Sequence, residues 1–371
     1  MAATLADPDT PFAALDRSVL ERNVRRLGDH LDALGVPLRL HVKTAKSVEV
    51  AAVVFGGGRG PITVSTLAEA EQFADAGYDD VVYPVGIVAS KLPRVLALLE
   101  RGVRLMVVLD SVEQARVVSD ASREAGVRIP ALIEIDCDGH RAGLEPDDPA
   151  MLETARALAD GADLRGVMTH AGGSYFSADV AELRAAAGAE RDAVVRAAER
   201  LRAEGFECPV VSVGSTPTAF FATDLTGVSE VRAGTYVFMD AVMVALGVCS
   251  PEEIALSVVV EVIGHQAAKG WILTDGGWMA TSADHGAEGY GLVADLAGTP
   301  IPGLAMTGAN QEHGILSIAP GSDASLPDLP VGTRLRILPH HACATASQHR
   351  AYEVVDGTAT IEATWPRSGG W

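Results

Sequence analysis

Short apolar runs recur along residues 17–245, separated by stretches in which apolar side chains repeat with the period of an α-helix. In the first helix, Gly35 follows the last turn as a stop signal, and the apolar face consists of Leu20, Val24, Leu27, Leu31 and Leu34. The runs predicted as strands are 38–42, 62–65, 81–85, 105–109, 131–135, 164–169, 210–213 and 231–238. Eight strands alternating with helices predict a parallel (β/α)8 TIM barrel, with an open doubly wound sheet as the alternative.

The pattern changes near residue 250, where the helical period gives way to short strands between Gly, Pro and Asp turns. The strands predicted there are 254–262, 271–274, 291–296, 315–318, 334–338, 351–355 and 360–365. These strands predict a C-terminal all-β domain, and an N-terminal strand at residues 10–16 is predicted to join it. We therefore predict an α/β chain with a barrel at residues 17–245 and a β domain at 246–371, completed by 10–16.

Composition excludes several kinds of partner. The 371 residues include 29 basic and 49 acidic side chains, and a net charge of −20 argues against nucleic acid and anionic membranes. Four widely spaced cysteines are typical of reduced cytosolic thiols. The N-terminal residues do not show the pattern of a signal peptide, and no apolar run approaches the ~20 residues of a membrane span. We predict a cytoplasmic protein.

Lys43 is the first candidate for chemistry. It follows the apolar run of the first barrel strand, and the carboxyl ends of barrel strands form the active-site face in this fold. A lysine in that position can form a Schiff base with an aldehyde cofactor. The alternative is a surface lysine whose methylene groups cover apolar neighbours.

A phosphate site is predicted where the seventh and eighth strands end. The first of these turns follows a strand and opens a helix, and its glycine, hydroxyls and helix N-terminal amides suit an anion. Neighbouring loops at this place are a frequent phosphate site in TIM barrels. An ordinary strand–helix turn is the alternative. The residues concerned are Gly214, Ser215, Thr216, Gly234, Thr235 and Tyr236.

Three further side chains follow the fifth and sixth strands. His170 ends the sixth strand, where an imidazole can stack on a cofactor ring or act as an acid or base, and Tyr175 lies in the same loop. Arg141 follows the fifth strand and can contact a phenolate or a carboxylate. The alternatives are a hydrogen-bonded core histidine for His170 and a surface ion pair for Arg141.

His341 and Cys343 are the candidate metal ligands. Their spacing places both side chains on one face of a predicted strand. Imidazole and thiolate together can bind a soft or borderline divalent metal. Because two protein ligands do not close a coordination sphere, the pair indicates an open, catalytic site rather than a structural one.

These motifs resemble the D-serine dehydratase/D-threonine aldolase-like family, whose members use pyridoxal phosphate on the alanine-racemase fold. The similarity runs over nearly the whole chain. The motifs that carry it lie, in order, at residues 41–44, 63–67, 134–136, 166–170, 212–217, 230–234, 311–314 and 341–345.

The resemblance implies a role for each candidate. Lys43 would hold pyridoxal phosphate as a Schiff base, His170 would pack against the pyridine ring, and Arg141 would lie near the phenolic oxygen. Tyr175 would also contact the cofactor, and the six turn residues would surround its phosphate. His341 and Cys343 would bind a divalent metal, zinc or manganese-like. Aldolases of the family usually show His-x-Asp there, so the cysteine favours dehydration.

The implied reaction dehydrates a D-3-hydroxy amino acid, D-threo-3-hydroxyaspartate or D-serine, to a 2-oxo acid and ammonia. One alternative is retro-aldol cleavage to glycine and an aldehyde. Another is a non-catalytic pyridoxal-phosphate binding protein, although such proteins lack the C-terminal β domain. The chain departs from the family pattern at Gly173, Ala283 and His285, and the last two departures concern recognition of a second carboxylate. The resemblance also implies a homodimer.

Overall fold

The computed structural model describes residues 3–371. The chain forms two compact units, which we call the barrel unit and the β unit. The barrel unit comprises Leu27–Lys43, Val50–Gly234 and the last two residues, and the β unit comprises the residues up to Arg26, Thr44–Glu49 and Thr235–Gly369. The sequence-based limit between domains at residue 246 stays a prediction.

The strands and helices of residues 3–371 are numbered in chain order. The strands are β1 (Phe12–Asp16), β2 (Leu38–His41), β3 (Ile62–Thr63), β4 (Asp80–Tyr83), β5 (Arg104–Leu109), β6 (Pro130–Ile135), β7 (Asp163–Thr169), β8 (Val210–Val213), β9 (Glu230–Ala233), β10 (Leu256–Gln266), β11 (Trp271–Thr274), β12 (Gly291–Asp295), β13 (Pro300–Ala309), β14 (Gly314–Ile318), β15 (Arg334–Pro339), β16 (Ala351–Val355) and β17 (Ala363–Pro366). The α-helices are α1 (Arg17–Leu34), α2 (Val48–Val54), α3 (Leu67–Asp75), α4 (Leu92–Glu100), α5 (Val112–Ala125), α6 (Pro149–Ala159), α7 (Val180–Ala203), α8 (Thr216–Phe221), α9 (Ala241–Ala245), α10 (Trp278–Thr281) and α11 (Ala342–Ala346).

The barrel unit contains a closed parallel barrel formed by β2 to β9, in which β9 pairs with β2. Apolar residues predominate in most of its strands because parallel strands in this fold are covered on both faces, although β2 carries Arg39 and β9 carries Glu230 and Arg232. Four successive strands each contribute one side chain to an apolar cluster, and burying each such side chain contributes about 1.5–3 kcal/mol. The cluster consists of Val82, Val108, Leu132 and Met168. The barrel prediction is confirmed, and the open-sheet alternative is wrong.

Buried polar side chains link β2, β7, β8 and β9. Glu230 accepts hydrogen bonds from Arg39 Nε at 2.8 Å and from Ser212 Oγ at 2.6 Å. Arg232 donates to Ser212 Oγ at 2.6 Å and to the carbonyl oxygen of Thr169 at 2.5 Å. All five residues are buried, so each of these bonds satisfies a polar group that has left water.

The β unit is built on a nine-stranded sheet in the order β11-β14-β13-β12-β15-β10-β1-β16-β17. Strand β1 pairs antiparallel with β10 and parallel with β16, so the N-terminal strand lies inside this sheet. Its main apolar cluster takes side chains from six of the strands and from α10. The cluster consists of Val258, Val260, Val262, Ile272, Ala280, Val293, Leu304, Met306, Leu316, Leu335 and Ile337.

One strand prediction needs correction, and one strand was missed. The run at 231–238 forms a strand only to Ala233, and Thr235–Val237 is a 3-10 turn. The ten-residue strand β13 was not predicted, because Pro300, Pro302 and its glycines read as turn signals.

In the described part of the chain, no helix combines the length and the apolarity that a bilayer crossing requires.

Replacing Arg39 by methionine is expected to destabilise the barrel by about 3–5 kcal/mol, because the buried Glu230 carboxylate loses its cation. The side chains of this pair are 5% and 11% exposed. Arg104→Met is the matched control, since the Arg104 side chain is 68% exposed in its pair with Asp79 and should contribute less than about 1 kcal/mol. Thermal unfolding should show a midpoint roughly 5 °C lower for R39M only. Equal midpoints would contradict this account.

Candidate active site

Lys43 lies one residue beyond Val42, just after β2 ends at His41. Its backbone N–H donates to His41 Nδ1 at 3.4 Å. Burial holds the pKa of His41 well below its usual range, and the nearby charges of Lys43 and Arg232 lower that pKa further. The His41 ring is therefore neutral near pH 7, and Lys43 is half-buried beside it.

His170 follows β7 and is fixed by one ring nitrogen. Nδ1 lies 2.7 Å from the carbonyl oxygen of Gly214, and because a carbonyl only accepts, Nδ1 carries the hydrogen. Burial lowers the pKa of His170 to about 3, so the ring is neutral and its Nε2 keeps a lone pair. The ring of Tyr175 lies near it, with centroids 6.4 Å apart and planes tilted by 52°.

The turn after β8 is shaped by a glycine and a helix cap. A Cβ on Gly214 would lie 2.0 Å from the carbonyl oxygen of Arg232, so only glycine fits there. Ser215 caps α8, and Thr218 completes a capping box with it. The Gly214 N–H donates to Glu190 Oε1 at 2.9 Å, so it is already bonded within the protein. Thr216 is the first residue of α8 and is buried.

The predicted second phosphate loop divides between the two units. Gly234 is the last residue of its stretch in the barrel unit, whereas Thr235 and Tyr236 belong to the β unit. Thr235 Oγ1 lies 3.7 Å from Cys343 Sγ. Burial raises the pKa of the Tyr236 hydroxyl. The structure therefore places the Thr235 hydroxyl beside the candidate metal ligand, a position that the sequence did not suggest.

Arg141 lies in the segment after β6 and is more than half exposed. Its guanidinium donates from Nη2 to Glu134 Oε1 at 3.0 Å, and the Glu134 side chain is almost fully buried. This is the ion pair that the sequence offered as the alternative, anchored on a barrel strand. A role near the cofactor phenolic oxygen stays a prediction.

The predicted strand geometry for His341 and Cys343 is wrong, because β15 ends at Pro339. His341 is the N-cap residue of α11 and Cys343 lies in its first turn. The Asp240 carboxylate holds this turn by accepting from the Ala342 N–H at 2.9 Å. The two side chains are therefore brought together by a strand-to-helix turn rather than by the pleat of a strand.

Both candidate ligands have polar neighbours in the β unit. His341 Nδ1 lies 2.7 Å from Asp284 Oδ2. Thr44 Oγ1 lies 3.2 Å from Cys343 Sγ. Hydrogen bonds with Cys343 and with Asp284 raise the pKa of His341 to about 9, the first being the larger cause. With Nδ1 engaged by a carboxylate, Nε2 is the nitrogen left for a metal, as in carboxylate–histidine–metal arrangements.

This donor set fits a divalent metal. Imidazole nitrogen and thiolate sulfur are the ligands that zinc prefers, and two of them leave positions for substrate. Within residues 3–371 no group of three or more His, Cys, Asp or Glu side chains is arranged to hold a metal ion, so the protein offers an open pair rather than a closed cage. The barrel unit likewise offers features that suit a phosphorylated aldehyde: a strand-end lysine, a neutral imidazole and a glycine turn at a helix start.

Sequence reasoning missed three residues of these surroundings. Thr44 lay inside a recognised motif, but nothing in the pattern showed that its hydroxyl would face Cys343. Asp284 lies in a polar loop in which it resembles any exposed acid. Glu190 lies in the alanine-rich helix α7, and only the tertiary structure shows that it is buried.

Two family models match this chain. The model described as "Alanine racemase, N-terminal domain" matches residues 15–242, and the one described as "Putative serine dehydratase domain" matches residues 255–355. The chain is 51% identical to D-threo-3-hydroxyaspartate dehydratase of Delftia sp. (strain HT23), covering 100% of both chains. It is 30% identical to D-serine dehydratase of Schizosaccharomyces pombe over 99% of this chain and 93% of the relative. It is 31% identical to D-threonine aldolase of Arthrobacter sp over 97% and 92%.

Solved structures of D-threo-3-hydroxyaspartate dehydratase superpose closely on this chain. A histidine-to-alanine mutant gives a TM-score of 0.96 at 50% identity, covering 100% of this chain and 98% of the other. A cysteine-to-alanine mutant in the metal-free form gives 0.95 at 50% identity, covering 100% of both. Because one family model spans more than half of the chain and a relative is half identical over its full length, the chain belongs to the D-serine dehydratase/D-threonine aldolase-like family of pyridoxal-phosphate enzymes on the alanine-racemase fold.

Proposed function

We propose that this chain is a lyase, dependent on pyridoxal phosphate and a divalent metal, that dehydrates a D-3-hydroxy amino acid to a 2-oxo acid and ammonia. The observation that carries the proposal is the pair of His341 and Cys343, with the imidazole held by Asp284 and the thiol beside the Thr44 hydroxyl. The 51% identity to D-threo-3-hydroxyaspartate dehydratase supports it. The histidine and cysteine mutated in structures of that dehydratase are two positions apart, the spacing seen here, and the cysteine mutant is metal-free.

Pyridoxal phosphate, when bound, withdraws the negative charge that develops at Cα, and a divalent metal acts as a Lewis acid toward the departing hydroxyl. Lys43 is proposed to hold the cofactor through Nζ. As a free amine, the same atom would accept the Cα proton of the substrate. Its neighbour His41 is neutral near pH 7, so the imidazole adds no positive charge next to Nζ.

His341 is proposed to bind the metal through Nε2 and Cys343 through Sγ. Asp284 would hold the imidazole in the required orientation, because its carboxylate accepts the Nδ1 hydrogen. Thr44 would orient the sulfur by donating to it, a role that suits a thiolate better than a thiol. The combination of thiolate and imidazole favours zinc, and a manganese-like metal is the alternative.

His170 is proposed to pack against the pyridine ring as a neutral imidazole. Its orientation is set by the bond from Nδ1 to the Gly214 carbonyl group. A neutral ring adds no cation at the carboxyl ends of the barrel strands, which we call the barrel mouth. Besides burial, the charges of Lys43 and Arg232 lower the pKa of His170 there. The remaining proposed cofactor contacts come from Tyr175, Gly214, Ser215, Thr216, Gly234, Thr235 and Tyr236. Among them, Thr235 has its hydroxyl group close to Cys343 Sγ.

The substrate is proposed to be D-threo-3-hydroxyaspartate, with D-serine as the alternative. The loop in which the family resemblance leads us to expect arginines carries Ala283 and His285 here. The His285 ring stacks on Tyr290, with centroids 5.1 Å apart and planes at 16°. An imidazole offers a carboxylate a single N–H where a guanidinium offers a fork, so the second carboxylate of hydroxyaspartate would be held less firmly.

Retro-aldol cleavage is the second candidate, and the 31% identity to a D-threonine aldolase over 97% of the chain favours it. Both reactions would use the same cofactor and metal, so their products distinguish them. A homodimer and a cytoplasmic location are further parts of the proposal, supported by the family resemblance and by the composition respectively.

Purified protein supplied with pyridoxal phosphate and zinc or manganese is expected to release ammonia and a 2-oxo acid from a D-3-hydroxy amino acid but not from the L-isomer. Chelation should abolish turnover, and Cys343→Ala should reduce it about 100-fold or more while removing bound metal, because Lewis-acid help contributes several kcal/mol. Cys137→Ala is the control thiol. Glycine and an aldehyde would move the assignment to the aldolase, and full activity of C343A would rule out the metal role.

Lys43→Ala is expected to lower turnover about 1,000-fold or more, since it removes both the covalent anchor and the proton acceptor. Lys46→Ala is the matched control three residues later, a lysine whose carbonyl oxygen accepts from Ser368 in the β unit. Borohydride reduction followed by peptide mapping should find the cofactor on the peptide that contains Lys43. Recovery of the label on Lys46 would refute the assignment.

The neutral state of His170 predicts a pH dependence of stability. Its pKa of about 3 in the folded chain lies below the unfolded value near 6.5, so the unfolded state binds more protons and stability falls as the pH falls from about 6.5 toward 3. Between pH 7 and pH 5 the cofactor-free protein should lose about 2 kcal/mol more than a His170→Gln variant in urea unfolding. Parallel pH profiles for the two proteins would contradict the burial argument.

A further inference from the structure

Glu190 is a buried carboxylate for which the proposed reaction has no chemical use. It lies on α7 with only 2% of its surface exposed. Its Oε1 accepts the N–H of Ala171 at 3.0 Å and the N–H of Gly214 at 2.9 Å, and its Oε2 accepts the Thr218 hydroxyl at 2.7 Å. Burial raises the pKa of Glu190, while these three hydrogen bonds lower it. Burying a carboxyl group costs free energy, so its bonds define what it stabilises.

Two of these bonds join the residues around His170. Ala171 directly follows His170, and the Gly214 carbonyl group accepts from His170 Nδ1 at 2.7 Å. Gly214 therefore contacts the imidazole through its C=O and Glu190 through its N–H. The resulting ring of hydrogen bonds connects the ends of β7 and β8, the strands that these residues follow.

The third bond reaches the start of α8. The Thr218 hydroxyl lies 2.9 Å from Ser215 Oγ, and the Thr218 N–H donates to that same oxygen at 3.2 Å. Ser215 Oγ also lies 3.0 Å from Ser174 Oγ, whose hydroxyl donates to the Ala171 carbonyl oxygen at 2.7 Å. Ser215, one of the proposed phosphate residues, is therefore held through Thr218 on one side and through Ser174 on the other.

We propose that Glu190 is a positioning residue that fixes His170 and the turn of residues 214–218 relative to each other, so that the ring contact and the phosphate contact of the cofactor are set together. The proposal rests on the proposed use of pyridoxal phosphate. Glu190 touches neither cofactor nor substrate in this scheme, and it acts through Ala171, Gly214 and Thr218.

Two substitutions separate the acceptor atoms from the volume of the side chain. Glu190→Met keeps the length but leaves the Ala171 and Gly214 N–H groups without their acceptor. Glu190→Gln keeps Oε1 for both N–H groups and can donate from Nε2 to the Thr218 hydroxyl oxygen. Glu199→Met is the control, because Glu199 is an exposed glutamate on the same helix.

The test measures the full-length chain in two ways. Dissociation constants for pyridoxal 5'-phosphate and for pyridoxal report the phosphate contact and the ring contact separately. The nitrogen-15 signals of the His170 ring, recorded without cofactor, report whether Nδ1 still carries a hydrogen-bonded proton. For E190M we expect about ten-fold weaker binding of pyridoxal phosphate, a smaller change for pyridoxal, and an altered His170 signal. E190Q and E199M should stay within about three-fold of the unmodified protein.

An E190M protein with a lower unfolding midpoint but unchanged His170 signal and unchanged binding would overturn the proposal, because Glu190 would then only stabilise the fold. Should E190M not fold, Thr218→Val takes its place, with weaker pyridoxal phosphate binding expected and unchanged binding overturning the idea. If the unmodified protein binds neither compound, the proposed use of the cofactor fails, and the His170 signal of E190M or T218V alone decides whether Glu190 positions the ring.

Discussion

The hydrogen bonds of Arg232 connect the polar interior of the barrel to the end of the barrel where the proposed chemistry takes place. Its guanidinium donates to Ser212 and to the carbonyl oxygen of Thr169, the residue just before His170. Its own carbonyl oxygen is the atom that a Cβ on Gly214 would strike. Burial lowers the pKa of Arg232, which the carboxylates of Glu230 and Glu190 oppose. Because a buried cation must be hydrogen-bonded and balanced by nearby carboxylates, Arg232 limits which residues fit at the ends of the neighbouring strands.

That restriction also explains the charge balance around Lys43. Lys43 and Arg232 are the two cations whose charges act on both His41 and His170. A further cation nearby would be repelled by these two. Burial, and after it the charges of Lys43 and Arg232, lower the pKa values of His41 and His170. Neutral imidazoles therefore give the barrel mouth polar, planar side chains without extra charge.

Much of this structure was predictable from local pattern, because local pattern records burial. Barrel strands are covered on both faces, so apolar residues predominate in most of them, and the residue after such a run lies at the active-site face. Strand β13 was not predicted because its prolines and glycines indicate turns locally, whereas the strand forms through pairing with distant parts of the sheet. The strand geometry predicted for His341 and Cys343 was wrong because β15 ends at Pro339 and His341 occupies the N-cap position of α11, which begins at Ala342.

Glu190 and Asp284 show the limit of sequence reading more sharply, because their roles depend on partners far away in the chain. Glu190 reads as one acid among many on an amphipathic helix, yet its partners lie 19, 24 and 28 residues away. Asp284 is separated from His341 by 57 residues. In each case a carboxylate orients a group beside the proposed chemistry without supplying the chemistry itself. Motifs identify the reacting residues because the reaction dictates their type. A hydrogen-bond acceptor, by contrast, can be supplied from any element that packs nearby. Its position in the sequence therefore carries no comparable signature.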